Sequence, residues 1–190
     1  SNEIIPLKKP LDLGILKKKS SILSSKDFLI AQKTFSLVKR KRWNSAMKEV
    51  KKSRSKLLKN LVMWMYLKEP SNNLTFQDYK RFIDKNPEWP RINRLRYLAE
   101  HKINFKNVKP KEVIKFFEKK EPLSGYGKIK LGEAFLTKGN TKKAHDLVAD
   151  GFKTANLSSI EHRYLNKKFR NLLTKEDYIE RAKYLAWEQD

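Results

Sequence analysis

Four acids, Glu88, Glu100, Glu133 and Glu161, are the candidates for acid–base work. Such work needs a carboxyl group positioned in a cleft, with burial raising its pKa. All four sit in lysine-rich helical patterns, where an acid pairs with a cation one turn away or caps a helix. Nothing around them predicts burial, so no catalytic residue is assigned. His101, His145 and His162 adjoin Glu100, Asp146 and Glu161. Adjacent residues point to different sides of a helix, so these doublets are poor metal sites. Surface histidines are expected, with no metal and no cofactor. The stretch "GYGKIKLG" (125–132) lacks the full phosphate-loop pattern and has no strand signal before it, so it reads as a turn leading into a helix.

The stronger signal is charge. Against 21 acids stand 44 Lys and Arg, a formal net charge of +23. A chain so basic is drawn to polyanions: nucleic acid, an anionic lipid surface or an anionic cell-wall polymer. The densest run places Lys39, Arg40, Lys41 and Arg42 at a helix junction, followed by Lys51, Lys52 and Arg54. Arg91 and Arg94 form a second group. These are the candidate polyanion-binding residues; the alternative is a solvated face. Lysines number 34 and arginines 10, and base-reading proteins lean on Arg for its bidentate geometry. Lysine excess with many Asn and Ile also follows from an AT-rich gene.

The absence of cysteine rules out disulfides and thiol catalysis. No stretch approaches the roughly 18–20 apolar residues of a membrane span. The start "SNEIIPLKKPLDLG" has no apolar signal-peptide core. Ser1–Asn2 in place of Met reads as a processed end, so any export signal is expected to have been removed.

Residues 1–24 read as an extended or flexible arm, and 25–190 as one helical domain. Phe28, Ala31, Gln32, Phe35 and Val38 mark the first apolar stripe. Trp43, Ala46, Met47 and Val50 mark a second. The segment from Leu57 to Leu67 is apolar nearly all round and should be the most buried helix; Pro70 stops it. Thr75 and Asp78 form a capping box ahead of Phe76, Tyr79, Phe82 and Ile83. Pro110 opens a helix whose Val113, Phe116 and Phe117 face inward. Gly139–Asn140 is a helix stop, Thr141 caps the next helix and Thr174 the last. About ten short antiparallel helices result, with no period-2 alternation. This predicts an all-α fold, a right-handed α-solenoid or superhelix of tetratricopeptide-like αα repeats. Leu131, Gly132, Phe135 and Ala144 have the spacing of such a repeat, with Lys128 where Trp is usual. Leu37, Ala46 and Val50 are a weaker echo.

In "NPEWPRI" (86–92), Pro87 pushes Asn86 out of the helical region and ends the preceding helix. Pro90 suits the first turn of the next. Trp89 is then aimed by a rigid corner into the groove between the two helices.

"NPEWPRINRLRYLAEHKI", preceded by "YKRFIDK", resembles a stretch in the helical domain of soluble lytic murein transglycosylases. The signature residues are Asn86, Pro87, Trp89 and Pro90. "RKRWNSAMKEVKKS" resembles that family's W-x-x-A helix through Trp43 and Ala46, and "KLLKNLVMWMYLKEP" the helix after it. "FFEKKEPLSGYGKIKLGEAFLTKGN" and "LLTKEDYIERAKYLAWEQD" resemble later segments, with Gly139 and Ala144 in the repeat hairpin. The resemblance runs in order from about residue 26 to 190. It implies the superhelical region of a periplasmic enzyme whose lysozyme-like catalytic domain cleaves MurNAc–GlcNAc glycan strands to 1,6-anhydro products. That domain's Glu-Ser motif does not occur here, so this region would be a non-catalytic scaffold that helps position peptidoglycan. The alternative is a stand-alone basic repeat module that binds nucleic acid or a protein partner.

Overall fold

The structure is a computed structural model that describes residues 22–188. Within them lie ten α-helices and no strand. They are α1 (Ser25–Lys39), α2 (Trp43–Val50), α3 (Lys56–Lys68), α4 (Phe76–Lys85), α5 (Ile92–Glu100), α6 (Pro110–Glu118), α7 (Gly125–Thr137), α8 (Thr141–Thr154), α9 (Ser159–Lys168) and α10 (Lys175–Trp187). The chain divides into two compact units, Ser1–Glu69 and Pro70–Asp190. All of the expected arm except Ile22–Ser24 lies outside the described residues.

In the first unit Ser24 caps α1, its hydroxyl accepting from the Asp27 N–H at 3.1 Å. The helix buries Asp27, Ile30, Ala31 and Thr34, a face that shares only Ala31 with the expected stripe. Phe35 is exposed. The cause is Asp27. Its carboxylate accepts from Ser53 Oγ at 2.5 Å and from the Arg54 N–H at 3.0 Å, tying α1 to the α2–α3 connection. A buried carboxylate has to be hydrogen-bonded, so this tie sets the helix's rotation. Ile30, Ala31, Val50, Leu58 and Val62 form the core beside it. Trp43 stacks on Tyr66 of α3 with centroids 5.0 Å apart, and Ala46 is fully buried. The third helix is less buried than expected: Leu57 is exposed, whereas α7 buries the whole run Ile129–Ala134 except Lys130.

In the second unit α4 buries Phe76, Tyr79, Phe82 and Ile83 behind the Thr75–Asp78 capping box. Pro110 is the first residue of α6, which buries Val113, Phe116 and Phe117. The "NPEWPRI" corner is two successive turns sharing Trp89. The Trp89 N–H donates to the Asn86 carbonyl at 3.0 Å, and the Ile92 N–H to the Trp89 carbonyl at 3.1 Å. Each turn carries proline at its second position, where its fixed φ fits. Pro90 therefore lies before α5 rather than inside its first turn, and Arg91 caps α5 in a left-handed conformation, φ 58°. Trp89 is half-buried and meets Phe82 edge-on at 5.4 Å.

α7 and α8 pack closely because small residues line their contact. A Cβ on Gly125 would stand 2.6 Å from the Gly151 carbonyl oxygen, and one on Gly132 2.7 Å from Val148 Cγ2. "GYGKIKLG" is thus not a turn before a helix but the opening of α7 itself, capped by Ser124. α7 ends in a Schellman turn: the Gly139 N–H (φ +79°) reaches Leu136 O at 2.9 Å and the Asn140 N–H reaches Phe135 O at 3.0 Å. Asn140, not Thr141, caps α8.

The α1–α2 hairpin of the first unit repeats this turn bond for bond. The Lys41 N–H (φ 57°) reaches Val38 O at 2.9 Å and the Arg42 N–H reaches Leu37 O at 2.9 Å. Leu37, Ala46 and Val50 hold the places of Phe135, Ala144 and Val148. Both alanines are fully buried, as close helix approach requires.

Candidate functional site

All nine candidate basic residues are exposed. Lys39, Arg40, Lys41 and Arg42 line the α1–α2 turn, where Lys41 pairs with Glu69 at 2.8 Å. Lys51, Lys52 and Arg54 follow α2; Lys52 and Lys33 share Glu49, at 2.9 and 3.3 Å. This part of the first unit is a solvated basic face with local pairing.

Arg94 in the second unit begins something more organised. Its guanidinium lies 5.3 Å from the Tyr97 ring. Tyr97 meets His101 at 4.6 Å, one turn along α5. His101 in turn stacks on Tyr126 of α7, centroids 5.2 Å apart and planes 13° apart. Beyond Tyr126 comes the Lys130 ammonium at 5.3 Å. The result is a column of cation, three rings and cation, running from α5 across to α7. His101 Nδ1 lies 2.9 Å from the Tyr97 carbonyl oxygen, which can only accept, so in this contact Nδ1–H is the donor.

At its α7 end the column meets a buried carboxylate. Lys130 also lies 5.5 Å from both Phe105 and Tyr164, and 3.3 Å from Glu133 Oε2. Glu133, only 2% exposed, accepts from Tyr164 Oη at 2.7 Å and from Lys168 Nζ at 2.5 Å. Burial alone would raise the Glu133 pKa, but Lys130, Lys168 and Tyr164 hold it below the usual carboxylate value. Burial pushes Tyr126 up to about 12, with the negative charges of Glu161 and Glu133 adding to it. Burial opposes the Lys168 ammonium, yet Glu133 and Tyr164 keep its pKa above the ordinary lysine value. Glu133 is therefore an ionised anchor for two cations and a tyrosine, and is unsuited to donate a proton.

The expectation that each acid pairs locally or caps a helix fails for Glu100 and is incomplete for Glu133. Glu100, 1% exposed, reaches across to the start of α7. It accepts from the Leu123 N–H at 2.5 Å, the Ser124 N–H at 2.9 Å and the Ser124 hydroxyl. Burial raises its pKa more than these bonds lower it. Every oxygen is committed to α7, so it holds the helices that carry the column. Glu161 does cap, in a box with Ser158, and Glu88 is exposed in the proline corner. His101 is exposed, whereas His145 and His162 are half-buried.

Sequence reasoning missed the column, although part of its signal is local. Tyr97 and His101, and Tyr126 and Lys130, stand four residues apart on their helices and so share a face. Nothing in the sequence says that those two faces meet. Among the described residues no group of acids and histidines could hold a metal ion, and no helix is long and apolar enough to cross a membrane. No family model matches the chain, and neither does any curated protein or solved structure.

Proposed function

We propose that this chain is a non-catalytic superhelical scaffold of a periplasmic lytic murein transglycosylase, and that the Arg94–Lys130 column helps hold its glycan strand. The column carries the reading. Each of its rings already has another ring or a cation against its face. What it offers a ligand is the exposed Arg94 guanidinium and His101 ring with the edges of half-buried Tyr97 and Tyr126 beside them, Lys130 being held by Glu133. That suits a polymer of hydroxyls and carboxylates, such as peptidoglycan. It suits nucleic acid less well, because single strands bind by stacking bases on open aromatic faces. A superhelical arrangement is supported by the repeated hairpin turn and by helix contacts that skip one neighbour, α5 on α7 and α8 on α10. Cleavage to 1,6-anhydro products would belong to a catalytic domain, and no residue here is assigned to it.

The test is co-sedimentation with purified sacculi at about 0.15 M salt, where exposed long-range electrostatics are largely screened. The chain should bind without releasing muropeptides. Arg94→Gln combined with Tyr97→Phe and Tyr126→Phe should weaken binding at least tenfold while the helices stay folded. Unchanged binding by that variant, or a full-length protein that releases no anhydro-muropeptides, would sink the proposal. The +23 charge favours a second reading, nucleic-acid binding. It requires affinity that falls log-linearly with salt and exceeds affinity for dextran sulfate.

A further inference from the structure

Away from the column, α4, α6, α7 and α8 border a groove in two joined sections. The first, about 590 Å³, is lined by Lys80, Lys111, Lys115 and Lys138 around Ile114, with Glu112 and Glu118 among them. The second, about 390 Å³, shares Ile114 and Glu118 with it. Its floor is apolar: Phe117 and Leu131 are buried, and Ile114, Pro122, Phe135 and Leu147 half-buried. These volumes lie in the range of ligand sites.

The charges along the groove are not balanced against each other. Lys80 is committed to Asp84 at 2.5 Å, Lys128 to Asp150 at 2.5 Å, and Lys143 lies 4.3 Å over the Phe135 ring. Lys111, Lys115 and Lys138 have no ion pair among the described residues, and neither have Glu118 and Glu121. One end thus presents three ammoniums without an ion pair, outnumbering Glu112, which caps α6, and the shared Glu118. The other presents an apolar floor rimmed by acids.

We propose that this groove seats an amphipathic peptide segment. Its acidic residues meet Lys111, Lys115 and Lys138, and its aliphatic side chains lie on the floor from Ile114 to Leu147. A phosphodiester chain fits less well, because it carries charge along its whole length past Glu118 and Glu121 and offers no aliphatic groups to the floor. This site is separate from the column and does not rest on the cell-wall reading.

The probes are two synthetic peptides, three acidic residues joined to three leucines in either order, titrated into chain with labelled methyl groups. At least one order should shift the methyls of Ile114, Leu131 and Leu147 and leave those of the first unit unmoved. Lys111→Glu combined with Lys115→Glu and Lys138→Glu should lower that affinity at least tenfold. So should Ile114→Asp, at a half-buried position of the groove floor. Ile114→Asp, which barely alters the net charge, should keep whatever sacculus binding the parent has, which separates this site from the column. Absence of methyl shifts with either peptide, or full affinity in the triple variant, would overturn the proposal. So would equal shifts from single-stranded DNA of matched charge, since the groove would then select charge alone.

Discussion

Two equivalent residues in the two hairpin turns differ in the one property the turn demands. Gly139 and Lys41 both sit at positive φ, at 79° and 57°. A side chain there costs about 1 kcal/mol, because Cβ crowds the following carbonyl. A Cβ on Gly139 would meet nothing within 4 Å, so the cost is of the backbone alone. Lys41→Gly should therefore stabilise the chain by about 0.5–1 kcal/mol, the exposed pair with Glu69 being worth little. Gly139→Lys should destabilise it by a similar amount. Urea midpoints of the two variants should move in opposite directions; movement in the same direction would mean the turns are not equivalent. Both expected stops were legible, since glycine announces one turn and a basic cluster marks the other as a junction. That a lysine takes the glycine's conformation was not, because propensity argues against it.

The two buried acids, also single residues, should pull stability in opposite senses with pH. Glu100 has a raised pKa, so the folded chain keeps its proton to higher pH than the unfolded one. Its contribution is full below the unfolded value of about 4.3 and is lost as pH rises to the folded one. Glu133 has a lowered pKa, so its contribution is full above the unfolded value and is lost as pH falls through the folded one. Relative to the parent, Glu100→Gln should therefore gain stability as pH rises above about 4.3, and Glu133→Gln should gain it as pH falls below that value. Denaturant midpoints measured from pH 3 to 7 decide this. Parallel curves would show that neither environment perturbs its carboxyl group.

At the scale of the element, α7 is where the architecture is most constrained. Gly125, Gly132 and Gly151 let α8 approach, while Gly127 faces α5. A Cβ on Gly127 would stand 2.7 Å from Glu100 Cδ, with the Oε2 oxygen closer still. Glycine in a helix costs roughly 0.5–1 kcal/mol relative to alanine, so on propensity alone Gly127→Ala would stabilise. Packing outweighs propensity here. The substitution should destabilise by about 1–3 kcal/mol, because the displaced carboxylate would lose its bonds to Leu123 and Ser124. The same substitution in a Glu100→Ala background should cost much less, and thermal melts of the double-mutant cycle would show it. Helix boundaries were legible because caps are local: Thr75, Pro110 and Thr174 each declare a start within four residues. The rotation of α1 and the glycines of α7 were not, because Ser53 and Glu100 lie more than twenty residues from the groups they hold.

For the whole molecule, 44 cations face 21 acids, and the candidate basic residues are all exposed. Net repulsion of this size opposes compactness. The described ion pairs are mostly at the surface, where each contributes little. Added salt shortens the Debye length from about 30 Å at 0.01 M to about 8 Å at 0.15 M. It should therefore relieve repulsion over distances comparable to the molecule while barely touching contact pairs such as Lys168–Glu133. The melting temperature should rise by several degrees over that range, by screening rather than by any specific ion. Affinity for any polyanion should fall over the same range. The two trends together separate charge from site. If sacculus binding loses all its strength while stability climbs, attraction of opposite charges accounts for it. If a salt-resistant part remains and is lost on removing the Tyr97 and Tyr126 hydroxyls, the column supplies it.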